Sequence, residues 1–323
     1  MAQLIKLYFI AFLLLFFTSA VAKAEKVNFS FSSLTGSESP LWIAKEVGFF
    51  KKHGIDAELV YIVGGRVVVQ AMLAGEVQMG VSGPGAVIRS NLAGGDLVYV
   101  AVATTKADFT LVTDKSITSV EQLRGKRVGI GQFGGGPDYT ARIVLEKYGL
   151  KPDQDVRILQ MLTGQPGRLA VLQSGAIEAV VINPPLTIQA RKMGFNLLLE
   201  YSMVIPHFIS SGFVTTRRLI QQKPLVVENC VKVLLDAVRY VFSNEQGTLK
   251  VIGRYMKISD QPFLREYYRE VLVKELDRTL YPKIKAIDFV LEQEGKITPA
   301  AAKAKADDFV DRRFLDKLKK EGY

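Results

Sequence analysis

Cysteine and histidine are almost missing from this 323-residue chain. Cys230 is the only cysteine, which excludes an internal disulfide, a CxxC redox pair and a cysteine-built metal centre. It lies in an apolar helical run, where a buried thiol is expected. The histidines, His53 and His207, are the only two. His53 follows Lys51-Lys52 before Gly54, a helix end where positive charge suits the dipole. Neither has metal-ligand spacing and no HExxH occurs, so no metal site is expected. A hydrolytic triad would have to use one of them, and no motif supports it. Basic and aromatic residues do not interleave in a nucleic-acid pattern. The formal charge of +10 is dispersed apart from a modest cluster at Lys317–Lys320, read as a solvated helix face.

Long apolar runs are also scarce. The one at Leu7–Phe17 follows Lys6 and precedes Ala22-Lys23-Ala24, a small-x-small cleavage site. The run is too short to span a bilayer comfortably. A secretory leader over 1–24 is expected, with Glu25 as the first mature residue; an uncleaved anchor is the other reading. Removal of Lys6 and Lys23 leaves +8. No cysteine follows the run for lipid attachment, so a soluble exported protein, periplasmic in a bacterium, is expected.

Hydrophobic residues at 48% and charged residues at 23% mark a globular chain, long enough for two domains. It is organised around Arg127–Tyr148, RVGIGQFGGGPDYTARIVLEKY. Val128 and Ile130 suit a short buried strand, Gly134–Gly136 a loop, and Pro137 the first turn of a helix that Gly149 stops. The bare N–H groups of such a helix start attract an anion or a polar acceptor. The same plan occurs earlier as strand Val27–Phe31, loop Ser32–Ser39 and a helix at Pro40, with Ser39 as N-cap. The spacing Pro40…Ala44-Lys45…Gly54-Ile55 recurs as Pro137…Ala141-Arg142…Gly149-Leu150. Likewise Gly75–Pro84 resembles Gly175–Pro184 at a constant offset of 100 residues. Two similar α/β lobes follow.

In order, strands are expected at Ala57–Val63, Met79–Val81 and Leu97–Ala103, then at Phe109–Thr113, the crossing into the second lobe. Ser119 caps a short helix. Val156–Met161 is a strand, Thr163–Arg168 a loop, Leu169–Gln173 a helix, Ala179–Ile182 and Asn196–Leu199 strands, and Phe208–Thr215 the return crossing. Beyond Leu219 the apolar spacing turns helical, with segments around Val227–Phe242, Pro262–Glu275, Lys283–Gln293 and Ala300–Lys320. These helices are expected on lobe one. The boundaries are then 25–108 with 211–323 for lobe one, and 109–210 for lobe two.

Six loops rich in small residues end strands: Ser33–Ser39, Gly64–Arg66, Ser82–Gly85, Phe133–Asp138, Thr163–Arg168 and Asn183–Pro185. That edge is where open α/β sheets bind ligands, and two facing lobes would bring the loops around one cleft. Gly129-x-Gly131-x-x-Gly134 has the form of a dinucleotide fingerprint. But the helix starts beyond its third glycine, and the next strand ends at Gln160-Met161 without a ribose-binding carboxylate. Gly80-Val-Ser82-Gly-Pro84 misses the nucleophile elbow, because proline replaces the last glycine. Arg66 and Arg168 sit at helix starts beside the loops, where either could pair with a carboxylate or sulfonate; solvated arginines are the alternative.

These residues resemble the substrate-binding proteins of ABC importers in the nitrate, taurine and aliphatic-sulfonate group. The resemblance covers about Val27 to Phe242. It is carried by Trp42–Gly54, Ala71–Gly80, Leu123-Arg-Gly-Lys-Arg-Val-Gly129 and Gly175–Pro185. It implies the two-lobed periplasmic-binding-protein fold with two crossovers (type II), closure around ligand, and delivery to a membrane permease with a cytoplasmic ATPase; a small organic solute, no cofactor and a monomer are expected. Family ligand contacts carried onto this chain fall on Thr35, Gly36, Ser37, Gly65, Ser82, Gly83, Gly135, Gly136, Asp138 and Asn183. Glu38 and Asp138 would add negative charge near the cleft. The superfamily that this chain resembles also includes thiamine-pyrimidine synthases, enzymes that carry a cysteine-rich iron motif and consume a lysine-bound pyridoxal cofactor and a histidine; an exported or synthase-like enzyme using the same cleft is the alternative. A pure protein-interaction module would instead show an open patch and no cleft.

Overall fold

The computed structural model describes residues 24–296 and 298–323. The expected leader, apart from Ala24, lies outside them. Two five-stranded sheets form, ordered β2-β1-β3-β10-β4 and β7-β6-β8-β5-β9. The first holds β1 (Glu25–Phe31), β2 (Ile55–Tyr61), β3 (Met79–Ser82), β4 (Leu97–Thr104) and β10 (Ser211–Thr216). The second holds β5 (Thr110–Thr113), β6 (Arg127–Ile130), β7 (Arg157–Gln160), β8 (Ala179–Ile182) and β9 (Asn196–Glu200). In the first, β1 runs parallel to β2 and β3, and β10 lies antiparallel between β3 and β4. The second repeats this: β6 is parallel to β7 and β8, and β5 lies antiparallel between β8 and β9. The duplication read from the glycine and proline spacing is therefore a duplication of topology. The antiparallel strand of each sheet comes from one of the two crossing segments.

β4 is buried along its whole length because the helical C-terminal part covers its free edge. Val102 N–H donates to Leu280 O at 2.8 Å, and Asp277 N–H to Ala103 O at 2.7 Å. That protects an edge that would otherwise offer unpaired donors and acceptors. Gly212 on β10 has no room for a side chain: a Cβ there would meet Tyr99 at 2.3 Å. The long helix Pro224–Ser243 lays Val227, Val231, Leu234 and Val238 into the core under β1 to β3. Cys230 lies in this core, fully buried, and burial pushes its thiol far above its ordinary range.

Some local readings differ from the structure. The chain enters the first helix, Ser39–Val47, through a 3-10 turn at Gly36–Glu38, so Glu38 and not Ser39 occupies the N-cap position. At Ser119 only a 3-10 turn, Glu121–Leu123, forms, after Val120. The loop expected over Thr163–Arg168 is already helical from Gly164. Pro166 is accommodated there because first-turn N–H groups have no intrahelical partner. The single helix expected over Ala300–Lys320 is broken into Pro299–Lys303, a 3-10 turn at Ala306–Phe309, and Arg313–Lys320. Its middle is pulled straight by β4, where Val310 bridges Tyr99 and Asp311 N–H donates to Tyr99 O at 2.8 Å.

Trp42 anchors the helical part to the first sheet. It is fully buried, stacked on Tyr255 at 5.0 Å between ring centroids, with Phe31 edge-on at 6.0 Å. Trp42→Ala would leave a cavity that neighbouring rings cannot fill. It should lower stability by about 3–5 kcal/mol, read as a fall in the guanidinium midpoint with little change in slope.

Candidate functional site

The loops at the strand ends meet. Between the sheets lies a cavity of about 640 Å³, within the range of small-molecule sites. The lobes touch on its rims. From the helix Pro84–Leu92, Arg89 donates to Gly134 O across the cleft and pairs with buried Glu294. Gln132 of the second lobe rests against Gly64 of the first, whose φ is +90° and where a Cβ would meet Gln132 Oε1 at 2.3 Å. On the other rim the Lys192 ammonium lies 4.8 Å from the Phe263 ring centroid, and Arg191 pairs with Glu266 at 3.6 Å.

Eight of the expected residues line the cavity: Thr35, Ser37, Gly65, Gly83, Gly135, Gly136, Arg168 and Asn183. The other four stand off the wall, each for a local reason. Gly36 turns its N–H to Tyr267 Oη at 2.7 Å. Ser82 is buried, its hydroxyl 3.3 Å from Gly65 O and its carbonyl accepting from Tyr99. Asp138 accepts from Gly134 N–H at 2.7 Å and from Arg142 Nε at 2.8 Å, so it shapes the glycine loop. Arg66 is exposed and outside the cavity lining. His53 is away from the cavity, 2.9 Å from Asp236, and His207 is exposed.

The cavity also contains residues that spacing did not reveal. Asp108, Phe109, Phe208 and Ser210 come from the crossings, Tyr61 from the end of β2, and Ile258–Asp260 from the turn between two C-terminal helices. The crossings are bonded to each other: Phe208 N–H to Thr105 O at 3.3 Å, Ser210 N–H to Thr104 O at 3.1 Å, and Ser210 Oγ to Lys106 O at 2.7 Å.

Glu38 is 2% exposed; Ser33 Oγ donates to its Oε1 at 3.2 Å, while Oε2 has no hydrogen-bond partner. Burial raises its carboxyl to about 8, with Asp108 adding like-charge repulsion and the Ser33 and Ser32 bonds opposing. Asp108 is raised chiefly by burial as well, with Ser210 and Asn183 opposing. Its Oδ2 accepts from Asn183 Nδ2 at 3.1 Å; its Oδ1 and Asn183 Oδ1 are out of solvent and unpartnered. Arg168, 4% exposed, donates from Nε to Val181 O at 3.1 Å. Among the described residues no carboxylate pairs with it, and burial lowers it to about 10. The Tyr61 hydroxyl, raised first by burial, feels both Glu38 and Arg168. A buried cation and buried carboxyls thus share one cavity without pairing.

The sign of the Glu38 effect is set by burial. Its folded-state value lies above its value in the unfolded chain, so its contribution is fully present below about 4.5 and is lost as pH rises toward about 8. Glu38→Gln should remove that loss. The variant's stability relative to the parent should improve by on the order of 3 kcal/mol between pH 4.5 and 8.5, followed by denaturation midpoints across that range.

Comparison with known proteins agrees with this architecture. The model of the NMT1/THI5-like family matches residues 37–247. A putative binding protein of Brucella abortus is 28% identical over 67% of this chain and 67% of its own length. The taurine-binding periplasmic protein of Escherichia coli is 26% identical over 74% of this chain and 75% of its own. Among solved structures, the alkanesulfonate-binding protein SsuA of Xanthomonas axonopodis, bound to MOPS, superposes with a TM-score of 0.72 at 17% identity, covering 90% of this chain and all of that one. The fold also serves catalysis: a desulfurization enzyme superposes with a TM-score of 0.67 at 14% identity, covering 92% of this chain and 100% of that one. With the family model spanning well over half of the sequence, the chain belongs to the NMT1/THI5-like family.

Proposed function

We propose that this chain is the solute-binding receptor of an ABC-type importer, exported to the periplasm as a monomer after removal of residues 1–24. It would trap a small organic solute between lobe one (25–108 and 211–323) and lobe two (109–210) and hand it to a membrane permease. One observation carries this reading. The groups at the strand ends of both lobes, Thr35, Gly65 and Gly83 on one side and Gly135, Arg168 and Asn183 on the other, converge on a single cavity. The names of the relatives fit: binding proteins, one for taurine and one for alkanesulfonates. Trapping needs convergent donors and a closing motion and no chemical step. The hydroxyls on the wall are engaged with each other, Ser33 with Thr35 and Thr35 with Ser37, at 2.9 Å each, with no histidine in the lining to activate them.

The test is a thermal-shift screen over sulfonates, carboxylates, pyrimidines and aromatic acids, with product analysis of every hit. A bound solute at 100 times its Kd should stabilise the chain by about 2.7 kcal/mol and be recovered unchanged. Arg168→Ala should weaken a hit by about 100-fold, since buried charge-assisted hydrogen bonds contribute about 1.5–3 kcal/mol. Turnover of a hit would replace this reading with the enzymatic one.

A further inference from the structure

The unpaired charges inside the cavity specify the solute further, provided the receptor reading holds. Glu38 Oε2, Asp108 Oδ1 and Asn183 Oδ1 are acceptors out of solvent with no donor from the protein. Two of these side chains, Glu38 and Asn183, are at least 96% buried, at 2% and 4% exposure. Gln132 Oε1, on the lining beside Gly64, is a fourth such acceptor. Buried acceptors left unpartnered are costly, and the cluster of Glu38, Asp108 and Asn183 calls for N–H or O–H donors from whatever binds. Arg168 poses the opposite demand. Its guanidinium has five N–H donors, and Val181 O takes the Nε one. No carboxylate of the described residues pairs with Arg168, although Glu38 and Asp108 line the same cavity. The lining also holds the apolar side chains of Phe109, Phe208, Leu186 and Met161.

We propose that the solute is a zwitterion, an organic acid that also carries a basic nitrogen, with the nitrogen held by Glu38, Asp108 and Asn183 and the acid group held by Arg168. A simple oxyanion or an amine-free sulfonate satisfies Arg168 and leaves the acceptors bare. A neutral solute leaves a buried guanidinium without its counter-charge. The cavity of about 640 Å³ leaves space for an apolar body beside these groups. Binding of the cationic nitrogen also favours the ionised form of Glu38, because a positive charge beside it opposes the effect of burial. The charged and titratable groups around Glu38 and Asp108 are Tyr61, Tyr267, Glu275, Lys106 and Arg168.

The experiment is titration calorimetry with matched pairs: taurine against ethanesulfonate, and 4-(aminomethyl)benzoate against 4-methylbenzoate, with nitrate and a neutral aminopyrimidine alongside. In at least one pair the amine-bearing acid should bind about 100-fold tighter than its partner. Glu38→Gln combined with Asp108→Asn should cut that ratio below 10. With the unaltered protein, the same titration in two buffers of different ionisation enthalpy should show net release of protons on binding at pH 7. Equal affinity within both pairs, a ratio that survives the double substitution, or uptake of a proton overturns the proposal. Binding of nitrate, the neutral aminopyrimidine or only the amine-free acids also overturns it but leaves the receptor reading standing. No binding by any of these probes overturns the zwitterion assignment, and the receptor reading then rests on the wider thermal-shift screen.

Discussion

Two short crossing segments, side by side at the base of the cavity, hold this architecture together. Thr104 to Asp108 leads out of the first sheet, and Phe208 to Ser210 leads back. Their mutual hydrogen bonds at Thr104, Thr105 and Lys106 tie them into one strap. Because each crossing feeds an antiparallel strand into the sheet it enters, β5 and β10 sit at equivalent places in the two sheets. That constraint turns the strand ends of the lobes toward each other. It also makes Asp108 part of both the strap and the cavity wall, with its carboxylate bonded to Asn183 of the second lobe. A solute that engages Asp108 therefore acts on the element about which the lobes would move.

Packing and electrostatics have divided tasks here. The first sheet and the C-terminal helices share a continuous core around Trp42, Phe213 and Val231. Helix Ile284–Gly295 has a second task. It packs on the helix Pro84–Leu92 and reaches the other lobe, where Tyr139 Oη donates to Val290 O at 3.1 Å. Together with Arg89, held by Glu294 and bonded to Gly134 O, it forms one rim of the cleft. The cavity lining carries unpaired polar groups on Glu38, Asp108, Gln132 and Asn183. Each costs stability when nothing faces it, and function concentrates where such costs are retained.

Much of this was legible in the sequence because glycine and proline leave positional traces. The Pro40 and Pro137 helix starts and the offset of 100 residues between Gly75–Pro84 and Gly175–Pro184 correspond to equivalent elements of the two sheets; of the expected stops, Gly149 follows its helix, whereas the first helix already ends at Val47 with Gly48 as its cap and a short helix, Phe49–Lys52, precedes Gly54. The fold class follows from them. The site was legible only as loops. Spacing cannot show that Gly36 spends its N–H on Tyr267, 231 positions away, nor that Asp138 turns back onto its own loop. Arg66 and Arg168 occupy comparable places in the sequence, yet one is solvated and the other is buried against Val181. Asp108 and Ile258–Asp260 carry no local pattern at all; tertiary folding alone brings them to the cavity. The broken helix after Ala300 has the same origin, since β4 competes for its backbone.

The central claim is that the cleft captures a small molecule and releases it chemically unchanged. Equilibrium dialysis of the purified protein against a low-molecular-weight metabolite extract, followed by mass spectrometry of both compartments, tests it most directly. The account predicts that one small solute concentrates with the protein, that its total amount is conserved, and that Arg168→Ala abolishes the enrichment. A metabolite whose total falls while a product accumulates, or an enrichment no greater than that of Arg168→Ala, would contradict it.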